Sequence, residues 1–243
     1  MKLFKSFVFV TAFSLVSGFF AACSDNSSSS SGNDSVEVDS YLSKIQGSYI
    51  ELFPEMEKGE YRDIWINEIQ KIHPDMSKEE ANASTEMIIG MMEGDIIGEE
   101  AAAKYDMSTG DFAFNCYFLH KVAKLTVKGN IISGVDKNGK QIFSHSYSLV
   151  KEVNDSFFER LYKSDDENSG EFTYFIFTGD TPEETFHLEF RYGSTDEKIG
   201  FDGFNTGSYA YWMAAAIRAD YDDKVMDDVI RLFVDENLGD ENE

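Results

Sequence analysis

The chain has 243 residues and carries 45 Asp and Glu against 21 Lys and Arg, a formal net charge of −24. So acidic a surface repels nucleic acid and anionic lipid, which excludes both as electrostatic partners, and it favours solubility and attracts cations. The two cysteines, Cys23 and Cys116, lack any C-x-x-C spacing, which excludes sites of the C-x-x-C zinc and redox types.

Lys2 and Lys5 precede an apolar run over residues 7–20, too short to span the roughly 30 Å of bilayer hydrocarbon. The run ends in Phe20-Ala21-Ala22-Cys23, the form of a lipoprotein cleavage site. Residues 1–22 therefore read as a signal peptide and Cys23 as the lipidated first residue, attaching the protein to a membrane outside the cytoplasm. Phe20 stands where Leu is usual, which keeps an ordinary secretory signal with a fortuitous cysteine as the alternative. Ser24 follows in place of the Asp that retains lipoproteins at an inner membrane, favouring an outer membrane of the cell envelope. Residues 23–38 include an unbroken serine run at 27–31 and predict a flexible tether, since they cannot bury apolar area. With Cys23 lipidated, Cys116 has no intrachain disulfide partner and is expected as a buried small apolar residue.

Over residues 41–72, Ile45, Tyr49, Leu52, Phe53 and Met56, then Tyr61, Ile64, Trp65, Ile66, Ile69 and Ile72, recur at three and four. That period predicts two short helices around Gly59. Ser77-Lys-Glu-Glu80 is a capping box and predicts a third helix toward Met92, with a further helical turn over 101–105. From Phe112 the pattern changes to short aromatic and β-branched segments at 112–127, 131–135, 141–150, 157–162, 171–177 and 185–192, separated by turns such as 136–139 and 163–170. Such a series predicts an antiparallel meander or small barrel rather than alternating βα units. Helical spacing returns over 209–218 and 222–233, and residues 239–243 form an acidic tail expected to fray.

Four histidines narrow the search for chemistry. His73 precedes Pro74 in a loop that ends a helix and reads as solvated. His145 alternates with Phe143, Tyr147 and Leu149 on an apolar face and reads as a hydrogen-bonded core histidine. His120 falls in a segment apolar on both faces and is ambiguous. His187 differs, because the period of two puts Thr185, His187 and Glu189 on one face while Phe186, Leu188 and Phe190 take the other. A short connection from Asp180 can bring its carboxylate beside His187, and imidazole with carboxylate is a legitimate zinc donor set. The alternative is that this polar face is simply solvated.

The order of tether, helices, β-meander, late histidine strand and closing helices resembles the periplasmic zinc-binding domains of the ZinT type. The resemblance lies in Ile45-Gln-Gly47-Ser-Tyr49-Ile-Glu-Leu52-Phe-Pro54-Glu-Met-Glu-Lys-Gly59, in Phe186-His-Leu-Glu-Phe190-Arg-Tyr192-Gly193, and in Tyr211-Trp-Met together with Val225-Met-Asp-Asp-Val-Ile230. It spans residues 41–238, with an insertion between about Asp75 and Asn115. It implies a mainly β fold with flanking helices (α+β), a calycin or lipocalin-like antiparallel β-barrel over residues 39–238. It also implies a zinc ion near one barrel end, held by a His-x-His on the late strand and a histidine at the end of the strand before. Here Thr185 takes the first of those positions, His187 the second, and Asp180 stands about where the third falls. A metal set of His187, Asp180, Glu189 and Thr185 is harder than three imidazoles and suits zinc or another divalent cation such as manganese.

Residues 106–111 and 165–170 lack the bidentate glutamate spacing of a calcium loop and read as turns. Ser144, Ser146 and Ser148 have no G-x-S-x-G context, so no hydrolase is expected. The expected function is binding or buffering of a divalent cation by a lipid-anchored, extracytoplasmic, non-enzymatic protein. The alternative is a metal-free module that holds a small apolar ligand or a protein partner at the barrel mouth and the loop over 201–211.

Overall fold

The computed structural model describes residues 37–110, 112–154 and 156–239. The expected signal peptide over 1–22, Cys23, most of the expected tether and the tail beyond 239 lie outside the described residues. Eight strands, β1 Gly47–Glu51, β2 Lys124–Lys128, β3 Ile131–Val135, β4 Gln141–Glu152, β5 Arg160–Ser164, β6 Tyr174–Phe177, β7 His187–Gly193 and β8 Ala214–Arg218, follow one another around a closed barrel. Each is antiparallel to its neighbour in sequence, and β8 returns to β1, so this is an up-and-down barrel of the lipocalin-like kind. The helices are α1 Ser40–Lys44, α2 Phe53–Met56, α3 Arg62–Ile72, α4 Lys78–Met92, α5 Glu99–Lys104, α6 Asp196–Ile199 and α7 Asp223–Leu238. Among the described residues, no helix is long and apolar enough to cross a membrane.

Alternation explains the strands. In β4, Phe143 and Tyr147 are buried while Ser144, Ser146 and Ser148 are exposed. The inward set packs into a filled lumen: Phe143 stacks on Phe172 at 3.9 Å, and Phe175, Phe177, Phe190, Tyr192 and Trp212 complete an aromatic column. Helix α1 closes one end through Tyr41, Leu42 and Ile45, with Asp39 capping its first turn. Outside the barrel, Leu161, Ile176, Ala215 and Ile217 join a second core with residues of α2, α3, α4 and α7, including Trp65, Ile69, Ile88, Val229 and Phe233. One side of the wall is thus roofed by helices, and β7 and β8 are buried on both faces.

Four expectations are corrected. Residues 47–51, whose spacing suggested helix, form β1, because pairing with both β2 and β8 closes the ring and turns Tyr49 into the lumen. Residues 214–218 form β8 rather than helix. The alanine run there favours helix locally, but burial against the lumen and the roof requires small side chains on a central strand. The segment 112–123 is irregular rather than a strand, and His120 and Lys121 sit at φ 55 and 66, which breaks any ladder. Leu149, expected on the apolar face, is 40% exposed, next to a register shift between Leu149 and Lys151.

The capping box is present: the Ser77 hydroxyl accepts from Glu80 N, and Glu80 accepts from Ser77 N. Ser77→Ala is expected to cost about 1 kcal/mol, lowering Tm by about 2–4 °C in a domain of this size, readable by calorimetry.

Candidate metal centre

β7 places the centre. Leu188, Phe190 and Tyr192 point into the lumen, so His187, Glu189 and Arg191 take the outward face beneath the helical roof. Opposite them on β8 lie Ile217 and Ala215 of the outer core, and the Phe233 ring of α7 packs 5.5 Å from the imidazole of His187. His187 is therefore only 4% exposed, and the solvated-face alternative is overturned.

The loop before β7 carries Asp180 back to this point. The Thr178 hydroxyl donates to Asp180 Oδ2 at 2.7 Å, and Thr178 N donates to Glu189 O at 3.1 Å. Tyr41 on α1 donates its hydroxyl to the backbone oxygen of Asp180 at 2.9 Å. Phe186, at φ 66, makes the sharp entry into the strand. As a result one donor atom each from Asp180, His187 and Glu189 lies within 4.8 Å of the others.

Thr185 is beside this trio in a different role. Its hydroxyl donates within the loop, to the backbone oxygens of Thr181 and His187, at 3.2 and 3.3 Å. Its own carbonyl lies 2.6 Å from His187 Nδ1 and can only accept, so Nδ1 carries the proton and Nε2 is left to face Glu189, 3.5 Å away. A carbonyl that fixes the tautomer in this way is the usual support behind a metal-binding imidazole.

Charge is concentrated here. Burial disfavours the imidazolium of His187, but Glu189 in contact with it, Asp180 and the Thr185 carbonyl outweigh burial and raise its pKa to about 9. Burial also raises the carboxyl of Glu189, with His187 opposing and Asp180 adding. Glu236 on α7 is pushed up to about 7 by burial and by the charges of Glu189 and Asp180, against the pull of His187.

No family model matches the chain, and no curated protein matches it in sequence. In structure the chain is similar to the Zn(II)-bound ZinT-like domain of AdcA from Streptococcus pneumoniae, with 15% identity over 84% of this chain and 94% of that one, at a TM-score of 0.45. It is also similar to Zn(II)-bound AdcA of the same organism, with 14% identity over 79% of this chain, 35% of that chain and a TM-score of 0.42.

The other histidines lie elsewhere. His145 pairs with Asp166 at 3.1 Å and stacks on Phe143, a hydrogen-bonded structural residue as its strand pattern suggested. His120 sits 3.4 Å from the Tyr209 hydroxyl and 3.8 Å from Glu171. Cys116 is buried, as expected, and burial pushes its thiol well up, with the charge of Glu189 adding. Sequence reading overlooked Tyr41 and Glu236, which are distant in the chain from His187. Only for Glu236 was there a signal, its place three residues after Phe233 on an amphipathic helix.

Proposed function

We propose that the protein binds a divalent cation of the zinc type at Asp180, His187 and Glu189, and holds or buffers it outside the cytoplasm on a lipid anchor at Cys23. The observation that carries this reading is the convergence within 4.8 Å of three donor atoms, from His187 and Glu189 on β7 and from Asp180 in the loop before it. The Thr185 carbonyl leaves Nε2 of His187 available to the ion. One imidazole and two carboxylates fit zinc with a further donor, and fit manganese nearly as well. His187 supplies the softer donor, Asp180 and Glu189 supply charge, and Tyr41 and Thr178 hold the Asp180 loop in place. No bond-making step is assigned to these residues. The reading as a carrier of a small apolar ligand needs an open lumen, and this lumen is filled by stacked aromatic rings.

Isothermal titration of the purified domain with zinc and with manganese tests the reading, and absence of heat from both sinks it. A pH dependence follows from the same geometry. The pKa of His187, about 9, is above its unfolded value of about 6.5, so its proton stabilises the ion-free fold below pH 6.5, and that contribution is lost as pH rises through 9. A metal ion must displace this proton. Apparent zinc affinity is therefore expected to rise about tenfold per pH unit between roughly pH 6.5 and 8.5 and to level off above 9. A flat profile across that window contradicts His187 as a ligand.

The anchor is tested separately. Cys23→Ser is expected to move the protein from the membrane fraction to the soluble fraction, and continued sedimentation with membranes refutes lipidation at that residue.

A further inference from the structure

The net charge conceals a segregation of charge along the chain. Residues 121–151 hold six lysines against one acid, Asp136, a local charge of +5 in a chain of −24. That one carboxylate is engaged within its own turn, accepting from Asn138 N and Lys140 N. The stretch builds β2, β3 and β4, none of whose residues enters the outer core under the helical roof. Their outward side is therefore uncovered, and it shows Lys124, Lys128, Ser144 and Ser146.

Among the described residues the exposed large apolar side chains are Val38, Ile131, Leu149 and Val150, at 40–56%. All four gather at one end of this basic wall. Asp39 N donates to Asn130 Oδ1 and Asn130 Nδ2 donates to Glu37 O, which sets Val38 beside Ile131. The Tyr162 hydroxyl donates to Asp39, and Tyr162 is the register partner of Leu149. Tyr147 N donates to Asn130 O, so β4 runs on past the β2–β3 turn and Leu149 and Val150 stand beyond the last β3 pair. Lys128 lies opposite Ile131, and α1 brings exposed Lys44 to the same turn, because Gln46 and Gly129 bond each other in both directions.

An apolar cluster flanked by lysines suits a bilayer surface, where hydrocarbon enters the acyl boundary while ammonium groups reach headgroup phosphates. The described chain also begins here. Fourteen residue steps lead from Cys23 to Glu37, and at roughly 3.5 Å each they keep this end within about 50 Å of a lipid on Cys23. We infer that Val38, Ile131, Leu149 and Val150, with Lys44 and Lys128, dock on the phosphate-bearing headgroups of the membrane that holds the Cys23 lipid. The inference rests on the anchor reading above. Tethering makes the contact intramolecular, so a small patch suffices to hold the domain in one orientation. The exclusion of anionic lipid drawn from total charge then applies to the molecule at large and not to this end.

The test uses the mature lipidated protein reconstituted into vesicles of phosphatidylcholine with phosphatidylglycerol. Cys116 is buried, so a polarity-sensitive fluorophore can be placed through Ile131→Cys, or on the roof through Ala83→Cys at an exposed site of α4, and quenched by spin-labelled lipid. Quenching at 131 is expected to exceed that at 83 about fivefold, and Lys44→Glu with Lys128→Glu should lower it by about half or more while vesicle incorporation is unchanged. Equal quenching at the two sites, or no response to the two charge reversals, overturns the inference alone. If emission at 131 shifts with protein concentration and not with lipid, a second copy covers the patch and the inference likewise falls. If mass spectrometry finds no acyl chain on Cys23 of the protein isolated from membranes, the anchor reading falls and this inference with it.

Discussion

Zinc at about a hundred times its dissociation constant is expected to stabilise the unmutated protein by about 2.7 kcal/mol, and His187→Ala is expected to abolish that gain. In a domain of this size the shift corresponds to about 5–10 °C in Tm, well within the reach of differential scanning calorimetry, and a chelator should reverse it. The loss follows from where the imidazole sits. His187 is the one nitrogen donor of the trio, it is enclosed under Phe233, and its tautomer is set by the Thr185 carbonyl. Removing it leaves two carboxylates that must hold the ion without the donor that favours zinc over harder cations. Because truncating a buried side chain can itself destabilise the fold, His187→Gln serves as the companion variant, preserving volume and a polar contact. A zinc-dependent shift that persists in both variants would falsify the assignment.

Arg191→Met is expected to cost about 3 kcal/mol or more, the largest loss from a single substitution on the outward face of β7. Arg191 is fully buried, two residues beyond Glu189, and among the described residues no carboxylate pairs with it. Its guanidinium instead donates to the backbone oxygens of Trp212, Ile199, Gly200, Gly203, Thr206 and Phe204, and lies over the rings of Phe158 and Phe204. Burial pushes its pKa down to about 9, which leaves it charged at neutral pH. The loop over 199–212 is wound around this one side chain. A Cβ on Gly200, at φ 60, would stand 2.2 Å from the oxygen of Thr206, so the coil tolerates only glycine there. Without the guanidinium those carbonyls turn toward each other in an apolar setting with no donor. Arg191→Lys should recover little, since one ammonium cannot reach carbonyls arrayed around a planar fork. Urea denaturation of the three proteins measures the effect, and a loss below about 1 kcal/mol in Arg191→Met would show that the loop is held by other contacts.

Local chemistry was legible where a short stretch of chain carries its own instruction. Ser77 and Glu80 announce the start of α4 because a capping box is satisfied within one turn. The alternation in 141–148 and in 187–192 announces strands, and the same period of two puts His187 and Glu189 on one face. The lipoprotein signal expected over 1–22 also rests on a local pattern, and it lies outside the described residues.

What lay beyond the sequence were the decisions made by partners far away in the chain. Residues 47–51 and 214–218 look helical in isolation, and become strands because Tyr49 pairs with Arg218 and Glu51 with Ala216 to close the barrel. An exposed polar face on β7 was a fair reading of Thr185, His187 and Glu189 until α7 covered His187 with Phe233. The reason is physical: backbone periodicity sets which side of a strand a residue occupies, whereas burial, charge and coordination depend on what tertiary packing lays over that side. By itself the sequence determined an acidic chain with strands of known facing and a histidine among carboxylates, and only the tertiary structure turned that histidine into a buried, oriented side chain with Asp180 beside it.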